Sequence, residues 1–493
     1  MIGASAVAGC SSSPDAGPIA QPSSATVAPT ATPAALARFY DQRLSWHGCA
    51  DGLRCSRLLV PLDYRRPAGR TLHIAVIEEK SSGSPQGSLV VNPGGPGASG
   101  VQFVETAGDL FKPLMAHLNL VSFDPRGVGA SDPIRCLTSH QLDAFINLDP
   151  DPKTAAQRDE VIRQSRRFAD ACYAKNGDYL AHVGTIDEAR DMDVLRAALG
   201  DAKLTYYGAS YGTYLGAKYA QLFPTRIRAM VLDGALNPAE SSTASNLVQA
   251  KGFEADLDDF LAYCVSAGKC PFGSSDSAAM SWLNALIAQI TAHPLISDGR
   301  TVGAGELFEG LAEGLYSTSY WPQLINALSA AKAGNGAGVL VFADAITERN
   351  SNGTYSNLIE SNLAIDCIDR PWPRSVKTYE ADADRFGKVA PHFGAAIEYG
   401  SLPCAFWKVP PVEQAHPVHA VGAPPILVIG TTRDPATPFV WAQALARQLS
   451  SGVLLTHDGD GHTAYIDKDS CVDAVVAKYV LDLQPPKPGT VCK

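Results

Sequence analysis

No stretch of the 493-residue chain reaches the ~18 consecutive apolar residues that a membrane-spanning helix needs. Basic runs are also missing. Lys and Arg number 40 against 50 Asp and Glu, a formal net charge of −10. Phosphate binding needs a basic face, so nucleic acid is not expected as a partner. There is no C-x-x-C pair and the cysteines are scattered, which argues against a metal site. There is no G-x-x-x-x-G-K-[ST], and the most glycine-rich loop carries no lysine, so no nucleotide or other cofactor is expected. No repeat recurs at a fixed period. With 46% hydrophobic and 18% charged residues, what remains is an ordinary globular composition with length for two or three domains.

Cysteine is present, and its placement is informative. Ala6-Val7-Ala8-Gly9-Cys10 followed by three serines resembles a bacterial lipoprotein cleavage site, with Cys10 as the lipid-bearing residue. From there to about residue 35 the chain is Ser, Pro, Ala and Thr, a tether that cannot bury a core. The other ten cysteines form an even set in a chain that looks exported, which predicts disulfides. Sequential pairing is the simplest arrangement: Cys49–Cys55, Cys136–Cys172, Cys264–Cys270, Cys367–Cys404 and Cys471–Cys492. Connectivity stays open at this point.

The strongest signal is Gly208-Ala209-Ser210-Tyr211-Gly212. Lys203–Tyr207 before it is aromatic and β-branched and reads as a strand. Tyr214–Leu222 after it reads as a helix that stops before Pro224. A strand, a sharp turn carrying Ser and a helix make a nucleophile elbow, whose flanking glycines leave strand and helix room to meet. A serine hydroxyl needs a base, and the base an orienting acid, supplied after such an elbow in the order acid then His. Pro425–Gly430 is an apolar run, hence a buried strand, and it opens into Thr431-Thr432-Arg433-Asp434-Pro435. Asp434 is the expected acid, at the carboxyl edge of the sheet. Gly452–Thr456 reads as the last strand, and Asp458-Gly459-Asp460-Gly461-His462 as the loop after it, with His462 as the expected base. His457 is the rival, placed where a strand is ending. Asp458 and Asp460 have a competing role as helix caps.

A fourth element precedes these. Ser88–Val91 is a short apolar strand running into Asn92-Pro93-Gly94-Gly95-Pro96-Gly97. Bare backbone N–H groups of Gly94 and Gly95, with that of Tyr211, are the expected oxyanion donors.

Gly94–Gly97, the block Phe123-Asp124-Pro125-Arg126-Gly127-Val128-Gly129 and the triad positions together resemble the prolyl-iminopeptidase-like α/β-hydrolases. The match is closer to the secreted tripeptidyl aminopeptidase branch of actinobacteria. The resemblance runs from about Trp46 to the end and is weakest in the middle. It implies an α/β-hydrolase fold: a mostly parallel sheet with a large, mainly helical cap inserted before the acid and His. The simple iminopeptidases have His before the glycines where this chain has Pro93, so their preference for N-terminal proline does not carry over. The expected division is a leader and linker over 1–35, core over 36–236, cap over 237–395 and core again over 396–493. Leu58–Leu62 and Leu72–Ile77 read as an antiparallel hairpin opening the sheet.

An aminopeptidase must hold a protonated N-terminus, which calls for a carboxylate in the pocket. Asp366 and Asp369 lie three apart, so they share a helix face, and Cys367 between them would hold them rigid. Glu306 and Glu313 are further candidates. The bland alternative for all four is solvated helix surface. The expected function is an exported serine exopeptidase acting on peptide substrates, releasing short peptides, tripeptides foremost, from free N-termini. A carboxylesterase, lipase or endopeptidase would use the same triad, and a non-catalytic surface binding protein would use none of it.

Overall fold

The computed structural model describes residues 33–493; Cys10 and the rest of the N-terminal segment lie outside the described residues. Twelve strands are present: β1 (His47–Ala50), β2 (Leu53–Pro61), β3 (Thr71–Glu79), β4 (Ser88–Asn92), β5 (Asn119–Phe123), β6 (Leu204–Ala209), β7 (Ile227–Asp233), β8 (Leu295–Ser297), β9 (Arg300–Val302), β10 (Ile426–Arg433), β11 (Gly452–Asp460) and β12 (Val491–Cys492). Ten of them form one sheet in the order β1-β2-β3-β5-β4-β6-β7-β10-β11-β12, and β8 and β9 pair apart as a hairpin. The β1/β2, β2/β3 and β3/β5 pairs are antiparallel. From β5 onward every neighbour is parallel. This is the α/β-hydrolase fold.

Alternation along the strands builds two cores. Val90, Tyr206, Met230 and Val428 pack on one face. Their neighbours Leu89, Val91, Tyr207, Val231, Leu427 and Ile429 pack on the other. Successive side chains of a strand point to opposite faces, and here both faces are covered, so the central strands are apolar throughout. Because β4 lies between β5 and β6, the loop leaving β4 and the turn leaving β6 emerge side by side, with Asn92 opposite Gly208. Such a switch in strand order opens a crevice at the carboxyl edge of the sheet.

Three details differ from the sequence reading. β11 runs on to Asp460, so Asp458–Asp460 are strand and not loop. Arg433 of β10 bonds Asp460 through Nη2 at 3.0 Å and approaches Asp458 at 3.4 Å, which holds the extension in register and leaves neither acid as a helix cap. The cap of the last helix (Ser470–Asp482) is Asp469. The short edge strands β1 and β12 carry too little apolar pattern to be read, and disulfides pin both: Cys49–Cys55 ties β1 to β2, and Cys471–Cys492 ties β12 to the last helix. The other bridges are Cys136–Cys172, Cys264–Cys270 and Cys367–Cys404, so the sequential pairing is the one formed.

Between β7 and β10 the chain is helical apart from the β8–β9 hairpin. It does not pack as one unit. Phe253, Phe260, Leu283, Leu307, Leu324 and Val339 form a separate core. The later helix Leu358–Asp369 instead buries Leu363, Ala364, Ile365 and Ile368 in the main core.

Candidate active site

Ser210 sits between β6 and the helix Tyr211–Leu222 with φ 54° and ψ −123°. That conformation is sparsely populated for a residue with a side chain and marks stored strain. It is held by Ser210 N donating to Asp233 O at 2.8 Å and Thr213 N donating to Ser210 O at 2.9 Å. The hydroxyl makes no capping bond to its own helix. On the neighbouring loop Gly94 has φ +102°, and a Cβ there would lie 2.6 Å from Ala209 O and 2.9 Å from Ser210 Cβ. Only glycine lets the loop pass this close to the elbow. One expectation is corrected here. The N–H of Gly94 is already committed to Asn92 Oδ1 at 3.0 Å, so Gly94 supplies space and not a donor. Gly95 N and Tyr211 N remain on this edge.

Asp434 and His462 are brought together from the ends of β10 and β11. His462 Nδ1 lies 2.9 Å from Asp434 Oδ1 and 3.0 Å from Oδ2. The carboxylate is clamped by Ala436 N at 3.0 Å, Thr437 N at 2.8 Å and Thr437 Oγ1 at 2.8 Å. Both residues are buried. Burial alone would push the imidazole's pKa down, but the Asp434 carboxylate overrides it and holds the group above its ordinary value. Nε2 has no hydrogen-bond partner among the described residues, Ser210 Oγ included. His462 N donates to Tyr316 O at 2.8 Å, and the Tyr316 ring meets the imidazole edge-on with centroids 5.2 Å apart. The rival His457 faces the other way, with Nδ1 3.2 Å from Thr431 Oγ1 and Nε2 3.8 Å from Asp469.

Residues 390–492 match the family described as TAP-like protein. The chain is 38% identical to serine protease Hip1 of Mycobacterium tuberculosis, covering 90% of this chain and 87% of that one. It is 36% identical to carboxylesterase B of the same organism, covering 91% and 89%. It is 32% identical to the tripeptidyl aminopeptidase of Streptomyces coelicolor, covering 91% and 85%. The chain belongs to the tripeptidyl-aminopeptidase-like α/β-hydrolases. It is a serine hydrolase of the peptidase kind.

In this family member one residue joins the elbow to the histidine loop. Asp233, at the end of β7, accepts Ser210 N on its backbone oxygen, and its buried carboxylate accepts Ala464 N at 3.2 Å, Tyr465 N at 2.9 Å and Tyr207 OH at 3.0 Å. Sequence reasoning passed over it as the last residue of a strand. Thr437 was also missed, although a Thr three residues past the acid is a readable signal for a side chain folding back on it.

A cavity of about 500 Å³ opens beside the elbow, with Gly95, Pro96 and Tyr211 on one wall and Tyr316 on another. The four expected anchors separate. Asp366 lines the cavity with no hydrogen bond to its carboxylate, and burial pushes its pKa up to about 6 against the pull of Arg370. Asp369 lines it too, but its Oδ1 accepts Thr185 N at 2.8 Å and its other oxygen accepts Thr185 Oγ1. Thr185 meets Tyr211 OH, which donates to the buried Glu188 at 2.9 Å, so Asp369 belongs to the packing behind Tyr211. Glu306 is off the wall. It accepts Gly303 N at 3.1 Å and closes the start of its own helix, Ala304–Leu315, as helix-capping chemistry favours. Glu313 is off the wall as well, and half-buried. The acid that does face the cavity from this helix is Glu309, which no sequence signal singled out. Among the described residues one cluster has metal-ligand spacing, Asp469, Cys471 and Cys492, and both sulfurs are spent on a disulfide.

Proposed function

We propose that the protein is an exported serine exopeptidase that releases tripeptides from free N-termini. The observation that carries the reading is the Asp434–His462 pair, with Nε2 free, and a strained Ser210 whose neighbour Tyr211 lines a cavity that also holds unbonded acids. His462 Nε2 takes the Ser210 proton as Oγ attacks the scissile carbonyl carbon. Asp434 keeps the other nitrogen protonated and stabilises the imidazolium. The N–H groups of Gly95 and Tyr211 receive the oxyanion. The imidazolium gives its proton to the departing amine, leaving an acyl-enzyme that water cleaves by the same route. Unbonded acids on the cavity wall support recognition of an ammonium, because an ester or blocked peptide needs no anion there. Five disulfides fit folding in an oxidising compartment, and Cys10 would add a lipid anchor there.

The 36% identical relative named carboxylesterase B favours a second reading, in which the physiological substrate is an ester. A panel of free and N-acetylated peptidyl nitroanilides, set against short and long acyl esters, separates the two. Rapid cleavage of free-amine peptides and slow cleavage of acetylated ones is the expected result. Equal rates would overturn the exopeptidase reading.

A further inference from the structure

We propose that Glu309 seats the substrate's N-terminal ammonium and that its distance from the reacting centre sets a three-residue acyl group. This rests on the exopeptidase reading above and names the residue that would give it its length preference.

One helix carries a row of residues on the cavity wall. Its wall includes Gly305, Phe308, Glu309 and Ala312 of the helix Ala304–Leu315, and then Tyr316. Positions 309, 312 and 316 are three and four apart, so they lie on one face. The Tyr316 end is fixed at the chemistry, because its carbonyl accepts His462 N at 2.8 Å. The Gly305 end is fixed against the opposite wall, where a Cβ would lie 1.9 Å from Ile146 O. Glu309 stands seven residues, two turns, before Tyr316, which is ~10 Å along the axis. An extended peptide covers at most ~3.3–3.6 Å per residue, so three residues span ~10 Å and two only ~7 Å.

The local charge points the same way. No group donates to the Glu309 carboxylate among the described residues. The neighbours that act on it are Glu306 and Glu313, and no cation is among them. Burial first, and those two acids second, push its pKa up to about 7. An ammonium at this point supplies the missing counter-ion inside a partly desolvated site, where a charge pair is strong. Two other acids at the cavity are already bonded. Asp369 is bonded by Thr185, and Asp149 by Asp151 N at 3.0 Å and Gln157 Nε2 at 2.7 Å. Asp366 has Arg370 beside it. It also stands only four residues, ~6 Å, along its helix from Asn362, whose amide donates to Pro96 O at 3.1 Å at the oxyanion loop. That spacing suits a shorter acyl group.

The test uses aminoacyl-, dipeptidyl-, tripeptidyl- and tetrapeptidyl nitroanilides, free and N-acetylated, on the wild-type chain, Glu309→Gln, Glu309→Asp and Asp366→Asn. 4-Nitrophenyl acetate hydrolysis reports the folded triad in each. Glu309→Gln is expected to lose about 10- to 100-fold in kcat/KM on free tripeptides, the worth of a charge-assisted hydrogen bond. It should keep its rate on acetylated tripeptides and on the ester, and its preference for three residues should flatten. Glu309→Asp keeps the charge on a shorter arm and should retain part of the preference. If Glu309→Gln loses the ester rate as well, Glu309→Asp decides by the same comparison. A Glu309→Gln rate within twofold of wild type on free tripeptides, or a loss carried by Asp366→Asn instead, overturns the proposal. Wild type cleaving acetylated and free tripeptides alike would overturn the exopeptidase reading itself, a separate outcome.

Discussion

Gly234 offers a sharp test of the histidine assignment because it touches the imidazole without belonging to the reaction. It follows β7 with φ +67°, and a Cβ there would stand 2.9 Å from Thr463 Cγ2, 3.0 Å from Thr437 Oγ1 and 3.1 Å from His462 Cε1. One of these atoms belongs to the imidazole, and Thr437 Oγ1 bonds the acid that orients it. Gly234→Ala adds a left-handed backbone cost of roughly 1–2 kcal/mol. It also pushes three neighbours by a few tenths of an ångström each. The ring cannot retreat freely, since Nδ1 is fixed on Asp434 and the backbone N on Tyr316 O. Misplacement of a reacting group on the scale of 1 Å costs up to ~100-fold, so a kcat loss of ~10- to 100-fold is expected. Gly234 is not on the cavity wall, so KM should stay within twofold. The matched control is Gly177→Ala, where φ is +55° and nothing lies within 4 Å. It too places a side chain at positive φ and should leave kcat alone. Steady-state kinetics on a tripeptidyl nitroanilide, with thermal melts of both variants, decide the matter. A folded Gly234→Ala with wild-type kcat would refute the view that this turn aligns the catalytic base.

Ser210→Ala and His462→Ala should each lower turnover by several orders of magnitude while His457→Ala stays active; a dead His457→Ala would reassign the base. Activity should rise with pH as the His462 imidazolium deprotonates above the ordinary histidine range, and in Asp434→Asn the residual activity should show that limb moved to lower pH. Stability should run the opposite way. Burial raises Glu188 to about 8 and Asp256 to about 9, so the folded state holds protons that the unfolded chain has released. Their contribution is complete below the ordinary carboxylate pKa and is lost as pH climbs towards 9, and the raised His462 acts in the same sense. Asp63, held near 2 by Arg65 and Arg66 despite its desolvation, adds stability above the ordinary range and loses it in acid. A melting temperature higher at pH 8.5 than at pH 5.5 would contradict this. Alkylation without reduction, followed by mass spectrometry, should leave all ten cysteines from Cys49 to Cys492 unlabelled.

Much of the site was legible because its signals are local. The elbow is five residues with a strand before and a helix after. Asp434 and His462 each follow an apolar run by a few positions. What stayed hidden depends on where one side chain ends up among distant partners. That Gly94 loses its N–H to Asn92 is an Asx turn two residues long, readable in principle, yet only the bent loop makes it bind there. Glu306 and Glu309 differ by one turn of one helix. Which of them caps the helix and which faces the cavity is set by how that helix packs, and single-chain periodicity carries no such information. β11 outran its expected end because Arg433 on the next strand pairs with Asp460, a long-range partnership.

The helix Leu358–Asp369 is sewn into the machinery it covers. Asn362 and Ser361 donate to Pro96 O and Gly97 O of the oxyanion loop, Asn357 just ahead of it bonds Gly127 and Gly129, Glu360 accepts Leu137 N, and Asp369 holds Thr185 behind Tyr211. Such a segment cannot swing aside like a hinged door without breaking its bonds to the loop whose Gly95 N–H is our proposed oxyanion donor. Hydrolytic competence and the seating of this helix are one event. A chain in which it has come away has lost the supports of the glycine loop together with its cover.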